Sequence, residues 1–123
     1  MAERRFDEAE AWFTRGLREA ERQSNNLQVA NIRANLGLVA QARGDLDQAL
    51  MLLKTACAAV AAISAPPQHL QIQIDLWLAE LNLRRGERAA ADEALSRAET
   101  HLVGGERQGL REWAKKLRTE LQQ

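Results

Sequence analysis

Apolar residues recur every three to four positions along most of the chain, in blocks separated by short polar, glycine or proline breaks. That spacing gathers them on one face of an α-helix. Six blocks predict six helices. The first covers about residues 5–24, with Phe6, Ala9, Phe13, Gly16, Leu17 and Ala20 in its stripe. Ser24-Asn25-Asn26 marks a turn. The second helix runs from there to Arg43, with Val29, Ile32, Leu36, Val39 and Ala40 facing inward. The third covers about residues 45–64 and is apolar almost all round between 49 and 63, the pattern of a helix buried on every side. Ala65-Pro66-Pro67 stops it, because a residue before proline is pushed out of α geometry. Proline is acceptable in the first turn of the next helix. That fourth helix, about 67–85, carries two stripes: Leu70, Ile74, Trp77, Leu78 and Leu81, then Ile72, Leu76, Ala79 and Leu83. Two stripes predict contact on two sides. The fifth, about 87–103, buries Ala91, Leu95, Ala98 and Leu102 before Gly104-Gly105 breaks it. The sixth, about 106–123, sets Leu110, Trp113, Ala114, Leu117 and Leu121 against a charged face of Arg111, Glu112, Lys115, Lys116 and Arg118.

Small residues carry the next layer of information. Gly37 lies inside a helix, where glycine costs about 1 kcal/mol relative to alanine. Close approach to Ala49 on a facing helix is the simplest compensation. Gly44 suits a helix end, since it takes positive φ without a Cβ clash. Asp45 can then cap the next helix. The stretch from Asn35 to Ala56 therefore reads as a helical hairpin. A second copy follows. Leu78-Ala79 repeats Leu36-Gly37, Gly86-Glu87 repeats Gly44-Asp45, and Ala91 and Leu95 repeat Ala49 and Leu53, each pair 42 positions apart. A partial copy lies upstream: Phe6-Asp7-Glu8-Ala9, with Phe13, echoes Leu46-Asp47-Gln48-Ala49 and Leu53 at an offset of 40.

This pattern resembles the tetratricopeptide repeat, whose signature places a small residue after leucine in the first helix and an alanine in the second. Leu36, Gly37, Ala49 and Leu53 fall on it, while Arg33 and Ala40 stand at its aromatic positions. The resemblance covers roughly residues 4–102. It implies an all-α fold, a right-handed α-α superhelix of about six antiparallel helices in one domain. The parts are a half-repeat 4–24, repeats 27–64 and 67–103, and a capping helix 106–123. One apolar and one wet face suit a terminal cap. A chain that starts in mid-repeat is expected to be a fragment of a longer protein. The repeats exceed the usual length of about 34 residues and are similar to those of MalT-like bacterial regulators and kinesin light chains. The resemblance implies a non-enzymatic protein–protein interaction scaffold, within a bacterial transcriptional regulator. The alternative is a small-molecule-sensing domain that signals to an attached ATPase or DNA-binding domain.

Composition narrows this further. Hydrophobic residues make up 46% and aromatics 4%, a balance that suits helices. Seventeen basic and seventeen acidic residues give a formal net charge of zero, so a direct nucleic-acid surface, which needs a basic patch, is not expected. A lone Cys57 excludes an internal disulfide framework and fits the reducing cytoplasm. The first twenty residues lack the apolar core of a signal peptide. A membrane span needs about 20 apolar residues, and the run 49–63 is shorter and holds Lys54.

Catalytic chemistry finds no foothold. His69 and His101 have no Cys, His or carboxylate at metal-ligand spacing, so both read as solvated and no metal site is expected. Cys57, among alanines, reads as a small buried hydrophobe. Asp45, Asp47, Asp92 and Glu93 lie near helix starts, where acids favour the dipole. Gly104-Gly105 lacks the lysine and hydroxyl of a phosphate loop. Neither enzyme activity nor a cofactor is expected.

What remains is binding. The resemblance implies that the first helix of each hairpin lines a concave face. Asn31, Asn35, Leu38 and Ala42 share one stripe, and the 42-residue offset maps them onto Gln73, Trp77, Glu80 and Arg84. Amide, aromatic and charged side chains suit a protein or peptide partner, and Trp and Arg are enriched in hot spots. Core packing is the competing role for Trp77. The stripe has no lysine, unlike relatives that grip a terminal carboxylate. The first helix, uncovered on its outer side, exposes Phe6, Trp12, Phe13 and Leu17, which predicts a homodimer through that helix.

Overall fold

The computed structural model describes residues 2–102 and 107–123, with side chains from Arg4 onward. It is all-α: α1 (Ala2–Arg22), α2 (Asn26–Arg43), α3 (Leu46–Ala61), α4 (Gln68–Arg84), α5 (Arg88–His101) and α6 (Gln108–Gln122). The expected helical-repeat fold is present. The chain divides into two compact units, Met1–Pro66 and Pro67–Gln123.

In the first unit the turns do what their residues dictate. Ser24 takes the left-handed conformation at φ 54°, and the Asn25 side chain caps α2 by accepting the Gln28 N–H at 3.1 Å. Gly44 ends α2 at φ 89°. The N–H groups of Gly44 and Asp45 donate to the Gln41 and Ala40 carbonyls, both at 2.9 Å, which satisfies carbonyls a helix end leaves without partners. The Asp45 side chain then accepts the Gln48 N–H at 3.2 Å. Between α2 and α3 the contact is close, and Ala49, Leu53, Ala56 and Val60 form one buried stripe. Ala20 of α1 joins Val29, Ile32 and Leu36 of α2 in a cluster that Phe13 and Leu17 of α1 and Leu52 and Ala59 of α3 pack against.

Two expectations for this unit are corrected. α3 is not buried all round: Met51 is 53% exposed, and Ala58 and Ala61 are exposed too. Alanine makes a helix without demanding burial, so a run of it hides the polar side. α3 also stops at Ala61 rather than at residue 64. The Ile63 N–H donates to the Val60 carbonyl, three residues back, at 3.0 Å, so the helix end tightens and closes ahead of Pro66 and Pro67.

The second unit repeats the hairpin. Gly86 has φ 77°, and the N–H groups of Gly86 and Glu87 donate to the Leu83 and Asn82 carbonyls at 3.1 and 2.8 Å. These are the bonds of Gly44 and Asp45, displaced by 42 positions. Glu87, one methylene longer than Asp, makes no side-chain cap bond. Pro67 stands at the N-cap of α4 with extended backbone, rather than inside its first turn. Both stripes of α4 are used: Leu70, Ile74, Leu78 and Leu81 are buried, and so are Ile72, Leu76 and Ala79. Ala91, Leu95, Ala98 and Leu102 of the fifth block are buried as expected. Gly104-Gly105, with Val103 and Glu106, lies outside the described residues.

α6 turns Ala114 and Leu117 inward and leaves Glu112, Lys115 and Lys116 exposed. Its expected charged face needs one correction, because Arg111 and Arg118 reach back. Arg111 donates twice to the Leu102 carbonyl, at 2.9 and 3.1 Å. Arg118 holds Glu99 at 2.5 Å and Asp92 at 2.5 Å. Among the described residues, no helix is long and apolar enough to cross a membrane.

Candidate partner-binding surface

In the first unit, α2 turns Val29, Ala30, Ile32, Ala34, Leu36, Gly37 and Ala40 into the interior. Asn31, Asn35 and Leu38 stay half-exposed on the remaining side, and spacings of four and three keep them on one line. The Asn35 amide donates to the Asn31 carbonyl at 3.0 Å. That bond holds one end of the Asn35 side chain against its own helix.

In the second unit, Gln73, Trp77 and Glu80 are half-exposed and Arg84 is exposed. They form the equivalent line on α4. Trp77 is not a free surface ring. It meets Trp113 of α6 edge to face, with ring centroids 6.2 Å apart and planes at 63°. Such a pair adds roughly 0.5–1.5 kcal/mol beyond area burial. Trp77 therefore has a packing role and also keeps part of its surface open.

The N-terminal set divides. Trp12 is 69% exposed, with Arg15 stacked over its ring at 5.6 Å. Phe13 and Leu17 instead pack on the α2 cluster, and Phe6 is half-buried. Exposure of all four was expected, but the α1 stripe has a partner in α2.

Polar groups that sequence reasoning did not single out also emerge. Arg43 leaves the end of α2 to donate to Glu10 at 2.7 Å and to Asp7. It lies at a cleft of about 290 Å³ whose walls include Leu36, Ala40, Leu52 and Gln48. In the second unit, Asp75 is only 6% exposed and accepts from Arg97 Nε at 3.2 Å. Burial pushes its carboxyl above the ordinary value of 3.8, and the charges of Arg97 and His101 oppose that rise. His101 and His69 are exposed, and His101 Nδ1 lies 3.3 Å from Gln68 Nε2. Cys57 is half-buried rather than buried. Among the described residues, no three His, Cys, Asp or Glu side chains gather as a metal site would require.

A family model described as tetratricopeptide repeat matches residues 1–62, the three helices of the first unit. The chain belongs to the tetratricopeptide repeat family. No curated protein and no solved structure matches it. Tetratricopeptide repeats are typically non-enzymatic modules that bind protein partners.

Proposed function

We propose that the chain is a protein-interaction scaffold whose partner contacts α2 through Asn31, Asn35 and Leu38, and α4 through Gln73, Trp77, Glu80 and Arg84. One observation carries this reading. Between the buried stripes of each helix an equivalent line stays at least half-exposed, two amides and a leucine on α2 and an amide, an aromatic and two charged side chains on α4. Such a line suits an extended peptide, which supplies polar backbone groups at regular intervals. The cleft at Arg43 supports a small-molecule sensor less well. Its volume of about 290 Å³ lies at the foot of the usual ligand-pocket range of roughly 300–1,000 Å³, and its guanidinium is already engaged by Glu10 and Asp7. The 42-residue repeat length favours the long-repeat variety found in MalT-like regulators. We place the scaffold in such a bacterial transcriptional regulator, in the cytoplasm, where the lone Cys57 stays a thiol.

A photo-crosslinking side chain at position 35 or 84 tests the surface against one at the exposed position 47 of α3. Partner adducts from 35 and 84, and none from 47, are expected. Adducts from 47 alone would move the site to another face. Arg84→Ala should weaken capture with the helical circular-dichroism signal unchanged, since Arg84 is exposed.

A further inference from the structure

Away from its apolar stripe, α1 presents a second line of residues: Arg4, Glu8, Ala11, Trp12, Arg15 and Glu19, all exposed. Trp12, at 69%, is the most exposed large apolar side chain among the described residues. The charges around it are arranged antisymmetrically. From the N-terminus the line reads basic, acidic, apolar, basic, acidic. Read backwards, every sign is inverted.

At about 1.5 Å rise per residue, Glu8 and Arg15 lie about 5 Å from the midpoint between Ala11 and Trp12, on opposite sides of it. Arg4 and Glu19 lie about 11 Å from the same point. A second α1 laid antiparallel across this midpoint meets opposite charges at every level. Arg4 faces Glu19 of the partner subunit, and Glu8 faces Arg15 of the partner subunit, each pair occurring twice by symmetry. Trp12 covers Ala11 of the partner subunit. A parallel copy would set like charges against like.

We propose that this face of α1 binds a second copy of the chain as an antiparallel two-fold pair. A two-fold interface must be self-complementary, and this line is. The present ties of these side chains do not stand in the way. Arg4 and Glu8 lie 3.4 Å apart and Glu19 and Arg22 2.7 Å apart, Glu19 also accepts from Gln23 at 2.9 Å, and Arg15 lies over the Trp12 ring at 5.6 Å, all within one helix and at exposed positions. Exposed pairs of this kind contribute little, so each carboxylate can take a second guanidinium. Trp12 belongs to the interface. Phe13 and Leu17, held by α2, do not.

Sedimentation velocity on the untagged chain, from low to high micromolar concentration, tests the pairing. The wild-type chain dimerises, and added salt weakens the dimer by screening its ion pairs. Trp12→Ala, at an exposed site, keeps its helical signal and loosens the dimer by about thirtyfold or more, as loss of a central tryptophan does. Glu8→Arg sets two pairs of like charges together and gives a monomer. Adding Arg15→Glu to the same chain restores the dimer, because the inverted pairs match again. A wild-type chain that stays monomeric overturns the proposal. So does a double variant no tighter than Glu8→Arg alone, or a Trp12→Ala dimer of unchanged affinity.

Discussion

A Cβ placed on Gly37 would lie 3.0 Å from Cγ of Leu53 and 3.4 Å from the Ala49 carbonyl oxygen. Leu53 is fully buried. Alanine at position 37 gains about 1 kcal/mol of helix propensity but must displace a core side chain and approach a backbone atom. Gly37→Ala is expected to be neutral to destabilising despite that gain. Gly37→Leu should cost about 1–3 kcal/mol, as overpacking does. Denaturant midpoints of the two variants check this, and a more stable Gly37→Ala would show that α2 and α3 can separate without penalty.

Asp45 and Glu87 begin equivalent helices, yet only Asp45 caps with its side chain. Asp45→Ala should therefore cost about 0.5–2 kcal/mol, while Glu87→Ala should be close to silent. Thermal melts of both variants, run side by side, decide it. Equal losses would mean that the acids act through the helix dipole and not through the cap bond.

Ser24 is the one non-glycine residue at positive φ among the described residues. A left-handed residue with a Cβ carries a penalty of roughly 1–2 kcal/mol, offset in part by the extra freedom glycine has when unfolded. Ser24→Gly should raise the melting temperature slightly, and Ser24→Val should lower it.

Much of this was legible from residue types alone. Gly44 and Gly86 take the positive φ that their positions call for, and the stripes Ala49–Leu53 and Ala91–Leu95 are both buried. The 42-residue offset appears again in the backbone bonds to residues 40 and 41, then 82 and 83. Side-chain partners far apart in sequence were not legible. Asp75 stands between the two apolar stripes of α4 and looks like a surface residue until Arg97, 22 positions on, is brought to it. Trp113 gives no sign in sequence that it will meet Trp77. Alanine misled in the third helix, because it marks neither a buried nor an exposed face.

The buried Asp75 makes a pH prediction with a definite sign. Its folded-state value is raised, so the folded chain binds the proton more tightly than the unfolded chain. Its contribution to stability is fully present below the unfolded carboxylate value and is lost as pH rises through the folded one. Asp75→Asn should remove that loss. The stability of the wild type relative to Asp75→Asn should fall as pH rises from about 4. Paired unfolding curves from acid to neutral pH measure the difference, and a constant difference would mean that Arg97 cancels the cost of burial.

The three tryptophans are divided between the units, and the division has a spectroscopic consequence. Trp12, in the first unit, is 69% exposed, so its indole emits from water, at the red end. Trp77 and Trp113, in the second, are half-buried and in contact, and their emission lies further to the blue. The chain has no tyrosine to blur the record. A blue-side loss during unfolding therefore reports α4 and α6 coming apart, while quenching at the red edge reports on α1. Each half of the molecule is already labelled, and one fluorescence spectrum distinguishes which half yields first.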